Sequence, residues 1–389
     1  MSQPLHVAIL EPYYGGSHGV FVDTVVARSR HQCRAVTMPA RKWKWRMRGA
    51  ALWLTWAGEP WSHQPLDVVL CSDMLSVADL RALWPRRLAA VPVVYYMHEN
   101  QLTYPLPPEQ RRDFQFGMTN ITSCLSADAV WFNSAFHRED FLSAADALLH
   151  KMPDYVPRGV ANAIRGRSAV LAPPVDVDPP QPGVRNTRTD RPVRILWCHR
   201  WEFDKNPGPF FDALLRLVAL DYPFELVVVG EHFRDAPPVF HTAARRLATR
   251  IVHIGHVPDR SAYLKLVRSC DVVVSAAIQE NFGIAVVEAI LSGCQPLLPN
   301  RLAYPEIIPR PAHHACLYTG DNALFPRLKA LLDRHGWLSA DELDALAASV
   351  HARFGADVAV TAMDDALVRV VECAKAGSPA AAPETHNVP

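Results

Sequence analysis

The chain alternates short apolar runs with segments of helical apolar spacing, and this pattern continues to about residue 375. Runs such as 5–10, 91–97 and 193–197 are rich in β-branched residues, which is typical of strands buried in a parallel sheet. Segments such as 20–27 and 284–291 carry apolar residues three and four positions apart and predict helices. This regular alternation of strands and helices predicts an α/β fold.

A proline-rich interval divides the pattern into two halves. Residues 173–192 contain six prolines and no apolar period, which indicates a linker between two Rossmann-like domains. The predicted organisation is an N-terminal domain over 1–174, a linker over 175–191, a C-terminal domain over 192–355, a helix over 356–376 that crosses back to the first domain, and a disordered tail over 377–389.

Composition narrows the class of protein. A chain of 389 residues suits two domains, and its net charge of +1 excludes a basic field over the whole protein but not a local basic patch. The eight cysteines form no Cys-x2-Cys pair, and no signal peptide or membrane-spanning stretch precedes or follows the first strand. We therefore expect a cytoplasmic protein with reduced thiols that does not enter the membrane.

Two glutamates flank the start of the helix predicted over 284–291. Glu280 falls in the loop after the apolar run 270–275, where open parallel sheets place their ligands, and Glu288 lies about two turns further on. The intervening loop offers backbone N–H groups to sugar or phosphate oxygens, from Asn281, Phe282 and Gly283. Taken alone, the two glutamates are equally consistent with a helix cap and a solvated helical charge.

Two cations follow the strand predicted over 193–197. Arg200 and Lys205 lie on either side of a loop that precedes a helix, so both charges and the helix N-terminus could converge on one anionic group. Considered without this sequence context, Arg200 and Lys205 would be interpreted as surface charges. A later strand ends in Gly230 and Glu231, a place where a nucleoside could rest.

The first predicted strand leads into Gly15 and Gly16 and then a helix. Paired glycines allow the backbone to approach a ligand closely, and Ser17 is the expected N-cap of the helix. The turn lacks both the G-x-G-x-x-G spacing and the lysine of a P-loop, so nicotinamide and ATP interpretations fail. A tight βα turn without a ligand is the alternative.

A polar tetrad, His98-Glu99-Asn100-Gln101, ends the strand predicted over 91–97. Side chains at the carboxyl end of a buried strand point toward the ligand region of such folds. His98 could donate to a sugar hydroxyl, and Glu99 could orient it. No third ligand stands at a convincing spacing for a metal.

The segment 41–48 alternates cations with tryptophans, and five of its eight residues are basic. Cations meet phosphates while aromatic rings stack on unpaired bases, which is how single-stranded RNA is bound. The alternative is a packed helix, because Trp45, Leu52, Trp53 and Trp56 can share one face. We favour RNA contact for the basic residues and leave the tryptophans open between the two.

Two sets of motifs resemble known families. The run 279–289 resembles the E-x7-E signature of retaining glycosyltransferases of family 4. Several N-terminal motifs resemble those of the tRNA-queuosine α-mannosyltransferase family. That family is similar to animal glycosyltransferase 1 domain-containing proteins. The N-terminal motifs are Glu11-Pro-Tyr-Tyr-Gly-Gly-Ser-His18, Pro39-Ala-Arg-Lys-Trp43 with Trp45-Arg46, His98-Glu-Asn-Gln101 with Tyr104-Pro105, Arg112-Asp-Phe-Gln-Phe-Gly117 and Phe132-Asn-Ser134.

The resemblance implies a GT-B fold, in which two Rossmann-like domains face a cleft. It also implies GDP-mannose as the donor, and the cyclopentenediol of queuosine in the anticodon loop of aspartate tRNA as the acceptor. By this resemblance Arg200 and Lys205 bind the donor diphosphate in place of a metal, Glu280 holds sugar hydroxyls, and His98 shapes the far side of the sugar. No cofactor or metal is expected.

The remaining expected site residues divide by ligand. Those expected to bind the donor are Gly15, Gly16, Gly230, Glu231, His256, Val257, Asn281, Phe282, Gly283 and Glu288, with the base near His256 and the ribose at Glu288. Those expected to bind tRNA are Arg41, Lys42, Trp43, Lys44, Trp45, Arg46, Arg48, Asn100 and Gln101. The alternatives are a transferase with a lipid, polysaccharide or small-molecule acceptor, a sugar-nucleotide epimerase, and a tRNA-binding protein without catalysis.

Overall fold

The structure, a computed structural model, describes residues 3–56, 65–106, 109–181, 191–231 and 236–377. They form two compact units: Val175–Gly355 is the second, and the first holds the residues up to Pro174 together with those from Ala356 onward. Val175 already belongs to the second unit, where it forms a parallel bridge with Gly355. Residues 182–190 of the predicted linker and residues 378–389 of the predicted tail lie outside the described residues. So does Trp61, a further tryptophan that follows the basic segment 41–48 in the sequence.

The first unit is built on a six-stranded parallel sheet of order β2-β1-β3-β4-β5-β6. Its central strands are continuous apolar runs because both faces of the sheet are covered. The strands are β1 (His6–Tyr14), β2 (Gln32–Pro39), β3 (Val68–Ser72), β4 (Val93–Met97), β5 (Ala129–Phe132) and β6 (Ser168–Val170).

Helices pack on both faces of this sheet. They are α1 (Gly16–Arg28), α2 (Trp43–Trp56), α3 (Val77–Leu83), α4 (Phe114–Ser126), α5 (Ala135–Leu149), α6 (Val160–Arg165) and α15 (Ala356–Lys375). One apolar core contains residues of α2 to α6, and the other contains residues of α1 and α15.

The last helix, α15, belongs to the first unit although it follows the second in sequence. It buries Val360, Met363 and Leu367 in the core shared with α1. Its Asp364 carboxylate accepts hydrogen bonds from the Ser29 hydroxyl at 2.6 Å and the Arg30 backbone N–H at 2.8 Å. The end of α1 is thereby fastened to α15.

The second unit repeats the architecture, with sheet order β12-β11-β10-β7-β8-β9 and parallel strands throughout. Its strands are β7 (Val193–Trp197), β8 (Phe224–Val229), β9 (Ile251–Gly255), β10 (Val272–Val274), β11 (Gln295–Pro299) and β12 (Leu317–Tyr318). Its helices are α7 (Pro207–Ala219), α8 (Val239–Arg246), α9 (Arg260–Val267), α10 (Ile284–Leu291), α11 (Tyr304–Ile307), α12 (His313–Cys316), α13 (Leu324–Leu332) and α14 (Ala340–Phe354).

One local prediction is wrong. Ser17 is not the N-cap of α1, because the helix begins at Gly16 and its N-cap is Gly15, two residues before Ser17. Gly16 has a φ of 53°, in the left-handed region that glycine adopts without strain, and this lets the helix start inside the glycine pair. Separately, none of the helices in the described ranges is both long enough and apolar enough to cross a bilayer.

Candidate functional site

Lys205 is a buried charge in the second unit that several neighbours hold in place. It is only 7% exposed, and its Nζ donates to the Gln279 carbonyl oxygen at 2.8 Å. Its Nζ also lies 3.4 Å from a carboxylate oxygen of Glu280 and 3.1 Å from one of Asp204. Burial opposes the charge, but these two carboxylates outweigh it and raise the Lys205 pKa. The side chain is therefore a fixed ammonium beside Glu280.

Backbone hydrogen bonds fix the two loops that meet at Lys205. The Asp204 carbonyl accepts from the backbone N–H groups of Ile278 and Gln279, at 2.9 and 3.3 Å. Asn206 then takes a left-handed φ of 52°, and α7 begins at Pro207, a favoured first helical residue. The loop after β7 is thus joined to the loop after β10, at the carboxyl edge of the sheet.

Arg200 lies apart from this buried contact. Its side chain is 45% exposed and pairs with Glu202 at 3.2 Å. Its charge still lowers the Lys205 pKa, so the two cations are close enough to repel. The structure brings Lys205 directly to Glu280 and leaves Arg200 at the surface of the same loop.

The loop between the glutamates exposes little of its side chains. Asn281 accepts from the Gln279 amide at 3.1 Å, and Phe282 packs edge-to-face on Phe354 with ring centroids 5.1 Å apart. Gly283 caps α10 with a φ of 97°. Any ligand contact made here comes from backbone rather than from these buried side chains.

Glu288 has partners that the sequence did not reveal. Its buried carboxylate lies 2.6 Å from the Arg260 guanidinium and accepts from the Tyr263 hydroxyl at 3.1 Å. Both partners are on α9, three residues apart, and so share a helix face. In the sequence, these partners of Glu288 were indicated only by the i, i+3 spacing of a cation and a phenol.

The remaining residues predicted to bind the donor lie in different places. Glu231 and His256 are exposed and Val257 is half-buried, just beyond the ends of β8 and β9. Gly15 and Gly16 belong to the first unit, where a Cβ on Gly15 would lie 2.6 Å from that of Ala40. Packing alone therefore explains the absence of a side chain at Gly15.

Gly230 is required by a close backbone approach, and Gly230→Ala is expected to be destabilising. A Cβ at this position would lie 2.0 Å from the backbone oxygen of His199, so the loop carrying Arg200 would have to move. We expect the free energy of unfolding to fall by about 1–3 kcal/mol, as at other overpacked sites. Urea denaturation measures this change.

Gly208→Ala is the control, because no heavy atom lies within 4 Å of its added Cβ. It should be neutral or stabilising by a few tenths of a kcal/mol, about the effect of reducing unfolded-chain freedom. Equal stability of the two variants would contradict the steric explanation.

A second cluster of polar side chains lies at the carboxyl ends of β1, β3 and β4 in the first unit. The Glu11 carboxylate is buried and lies 3.1 Å from Nδ1 of His18, in the first turn of α1. The rings of His18 and His98 are 4.1 Å apart between centroids. Asp73 accepts a hydrogen bond from the His98 backbone N–H at 3.0 Å. Of these four residues only His98 was predicted as a site residue, although Glu11 and His18 stand in a quoted motif.

The electrostatics of this cluster differ from one residue to the next. Burial lowers the His18 pKa, but the carboxylates of Glu11, Asp73 and Glu99 outweigh burial and raise it to about 9. Burial, with the charge of His18, holds the His98 pKa well below its usual range. Burial also raises the Asp73 pKa. The cluster thus combines one imidazolium with a neutral imidazole.

Two groups of residues are relevant to the prediction that the protein needs no metal. One ligand atom each from Glu11, His18 and His98 lies within 4.8 Å of the others, close enough for one cation to bridge. The sequence also contains an Asp-x-Asp pattern, Asp176–Asp178, whose two aspartates are exposed. Asp178 lies 3.8 Å from His351. The absence of a metal remains a prediction.

Two residues predicted to bind tRNA are instead structural. Asn100 is fully buried, and its side-chain oxygen accepts from the backbone N–H groups of Leu102 and Thr103, at 3.0 Å each. Arg46 is 8% exposed and donates to the Pro39 carbonyl. Neither side chain is available to RNA as predicted. Gln101 is half-buried and donates to Glu99 at 3.3 Å.

Helix α2 presents the rest of the predicted basic segment to solvent. Its exposed positions are Arg41 and Lys42, just before the helix, and Lys44, Trp45, Arg48, Leu52, Trp53 and Trp56 within it. Trp56 is 86% exposed and Trp45 60%, so the packed alternative for the tryptophans is wrong. Trp43 differs, because its ring packs against Phe116 at 4.9 Å.

Gly49 fixes the direction of the Trp45 ring. A Cβ on Gly49 would lie 2.7 Å from that indole, which therefore lies across the helix one turn further on. Between residues 24 and 58 the sequence has eight Lys or Arg and no Asp or Glu. The surface of α2 is thus basic and aromatic without acidic residues.

The chain matches two protein families. Residues 6–175 match the family described as tRNA-queuosine alpha-mannosyltransferase N-terminal, and residues 184–323 match glycosyl transferases group 1. Anabaena HepE in complex with UDP has the same fold, with a TM-score of 0.66 at 15% identity over 94% of this chain and all of that one. Sucrose-phosphate synthase from Thermosynechococcus elongatus gives a TM-score of 0.70 at 14% identity, over 95% of this chain and all of that one.

Two curated relatives are mannosyltransferases. The tRNA-queuosine alpha-mannosyltransferase of Drosophila melanogaster is 36% identical over 331 residues, 83% of this chain and 86% of that protein. A GDP-mannose-dependent phosphatidylinositol dimannoside mannosyltransferase of Mycobacterium tuberculosis is 25% identical, over 76% of this chain and 74% of that one.

Two parallel Rossmann-like units, with a buried lysine beside the first glutamate of the E-x7-E motif in the second, define a GT-B glycosyltransferase. The similarity to the Drosophila relative and the match of the N-terminal domain identify the family within this class of glycosyltransferases. The chain belongs to the tRNA-queuosine alpha-mannosyltransferase family.

Proposed function

We propose that this enzyme transfers mannose, with retention, from GDP-mannose to the cyclopentenediol of queuosine in the anticodon loop of aspartate tRNA. The observation that carries the proposal is the Lys205 ammonium fixed 3.4 Å from Glu280 in the second unit. The Drosophila relative, a tRNA-queuosine alpha-mannosyltransferase, supports the acceptor, and the GDP-mannose-dependent mycobacterial relative supports the donor.

The chemistry requires a cation where negative charge develops. When the bond between the anomeric carbon and the diphosphate breaks, negative charge grows on GDP, and a preorganised ammonium stabilises it without reorganising. Lys205 takes this role, with Arg200 as a second cation on the same loop. Two cations replace a divalent metal, and no cofactor is needed.

Other donor contacts follow from the same edge of the sheet. Glu280 accepts hydrogen bonds from sugar hydroxyls, and Glu288, held by Arg260 and Tyr263, receives the ribose. The nucleoside lies near Gly230, Glu231, His256 and Val257. The diphosphate oxygen takes the acceptor proton on the face that GDP leaves, so no side chain is assigned as the base.

The acceptor tRNA binds α2 through charge and stacking. Lys42, Lys44 and Arg48 are exposed and meet phosphates, while Trp45, Trp53 and Trp56 offer planes on which unpaired bases stack. All eight cysteines are free thiols, which supports a reducing cytoplasm as the location.

The test is transfer itself. Purified protein is incubated with GDP-mannose and tRNA that contains or lacks queuosine, and the digested nucleosides are examined by mass spectrometry. One added hexose on queuosine alone supports the proposal. Consumption of GDP-mannose at the same rate without queuosine would contradict it, and so would transfer to a lipid or polysaccharide acceptor only.

A further inference from the structure

The polar cluster around His18 belongs to the first unit, whereas the donor site proposed above belongs to the second. Glu11 is held from two sides: one carboxylate oxygen accepts from the Ser72 hydroxyl and from the Tyr13 backbone N–H, each at 2.8 Å. The other oxygen faces Nδ1 of His18 at 3.1 Å. This fixes the ring and places a proton on Nδ1, as in other carboxylate–imidazole pairs.

The second ring nitrogen of His18 is thereby left for a ligand. Nε2 has no hydrogen-bond partner among the residues that the structure describes, although the side chain is only 9% exposed. The ring lies 4.1 Å from that of His98 and 5.9 Å from that of Tyr13, between centroids. A nitrogen fixed in this way is a directed donor when the ring is charged.

The charge of the surrounding groups suits a neutral polyol better than an anion. Glu11, Asp73 and Glu99 all stabilise positive charge on His18, so an anion entering here would meet carboxyl groups. Hydroxyl groups both donate and accept, and can therefore satisfy an imidazolium, a neutral imidazole and a carboxyl group at once.

We propose that His18 is a further catalytic residue: oriented through Nδ1 by Glu11, it donates a hydrogen bond from Nε2 to a substrate hydroxyl. Glu11 and Ser72 are positioning residues for it. The inference rests on the proposed function, which supplies two polyols of this chemistry, the mannosyl group of the donor and the cyclopentenediol of the acceptor.

A metal is the competing occupant, because Glu11, His18 and His98 could bridge one cation. The hydrogen bond between Glu11 and His18 argues for the donor role, since a metal would have to displace the proton between them. Loss of transfer on adding EDTA, with recovery on adding Zn²⁺ or Mn²⁺, would overturn the proposal.

Two substitutions separate the ring nitrogens. In His18→Asn the amide nitrogen replaces Nδ1 and can still donate to Glu11, whereas in His18→Gln it replaces Nε2 and can still donate to a hydroxyl. We expect kcat/KM to fall about tenfold to a hundredfold in His18→Asn, the usual effect of losing one positioned donor, and less in His18→Gln. Unchanged kcat/KM in His18→Asn would overturn the proposal, as would equal losses in both variants accompanied by equal losses of Tm.

The kinetic constants identify which polyol is bound. If the donor sugar is the ligand, the KM for GDP-mannose and the slow hydrolysis of GDP-mannose without tRNA both change. If the cyclopentenediol is the ligand, the KM for queuosine tRNA changes and that hydrolysis does not. Either result supports the inference.

The pH profile tests the positioning role of Glu11. The imidazolium is present below the His18 pKa of about 9 and is lost as pH rises through it, so wild-type activity should fall on the alkaline side. Glu11→Gln can still accept from Nδ1 but removes a charge, leaving Asp73, Glu99, His98 and Tyr13 to face the ring. The alkaline fall should move down by about one pH unit or more. An unmoved profile would overturn the role of Glu11.

The proposed function and this inference can fail separately. If the wild-type enzyme transfers no hexose, the proposed function is wrong. In that case the hydrogen bond from His18 to a ligand is tested separately by NMR of labelled histidine. A His18 resonance, assigned by its absence in His18→Asn, that shifts on adding GDP-mannose or queuosine tRNA supports this hydrogen bond, and one that shifts with neither overturns it.

Discussion

Lys205→Ala is expected to lower kcat for mannosyl transfer by about a hundredfold to a thousandfold, the usual effect of removing one preorganised charge contact in a transition state. The ammonium is buried between Glu280, Asp204 and the Gln279 carbonyl, so neither water nor the exposed Arg200 can take its place. Binding of tRNA should be unchanged, because the substitution lies in the second unit. Single-turnover transfer and tRNA binding are measured on the same preparation.

The control must separate lost chemistry from lost folding. Removing Lys205 leaves Asp204 buried without its ion pair, which can cost about 3–5 kcal/mol. Lys205→Ala combined with Asp204→Asn removes that charge and should recover stability without recovering transfer. Lys329→Ala, at a half-buried lysine paired with Asp333, should leave both stability and transfer nearly unchanged. Transfer within threefold of wild type in a folded Lys205→Ala enzyme would contradict the proposed role.

The variant Lys42→Ala/Lys44→Ala/Arg48→Ala is expected to weaken tRNA binding at least tenfold at about 0.15 M salt. With fewer phosphate contacts, fewer counterions are released when tRNA binds. The slope of log K against log salt should therefore become shallower by about two. The kcat at saturating tRNA should change little. Binding is measured by fluorescence titration over a range of salt concentrations.

A matched variant carries the same change of charge elsewhere in the first unit. Arg86→Ala/Arg87→Ala/Lys151→Ala removes three exposed cations that are not part of α2 and should keep most of the affinity and the salt slope. Gly49→Ala tests stacking, since its Cβ would displace the Trp45 ring while leaving the charges in place. Equal losses in the two triple variants would show that net charge, and not α2, binds the RNA.

Much of the fold could be predicted from the apolar pattern. The bounds of β7 and α10 match the predicted ranges 193–197 and 284–291, because each is mostly apolar and most of its residues are buried. β2 was missed because it lies at the edge of the sheet, is partly exposed and carries polar residues among the apolar ones. Edge strands need fewer apolar residues, so their pattern is weaker.

The site was less predictable because spacing does not reveal burial. Arg46 has the same charge as its neighbours on α2, yet its guanidinium is enclosed against Pro39. Asn100 was grouped with His98 by sequence position, but the turn that follows uses its side chain. Glu11 and His18 meet only because a strand end and a helix start are adjacent in space. Arg260 and Tyr263 likewise reach Glu288 from another helix.

Amide hydrogen exchange of the full chain, with and without GDP-mannose, tests most directly whether the nucleotide sugar binds beside Lys205 and Glu280. We predict slower exchange over residues 198–206 and 279–288 when GDP-mannose is present, and no change over the α2 residues 43–56. Protection absent from both of the first two segments, at a concentration that saturates binding, would contradict the donor site proposed for the second unit.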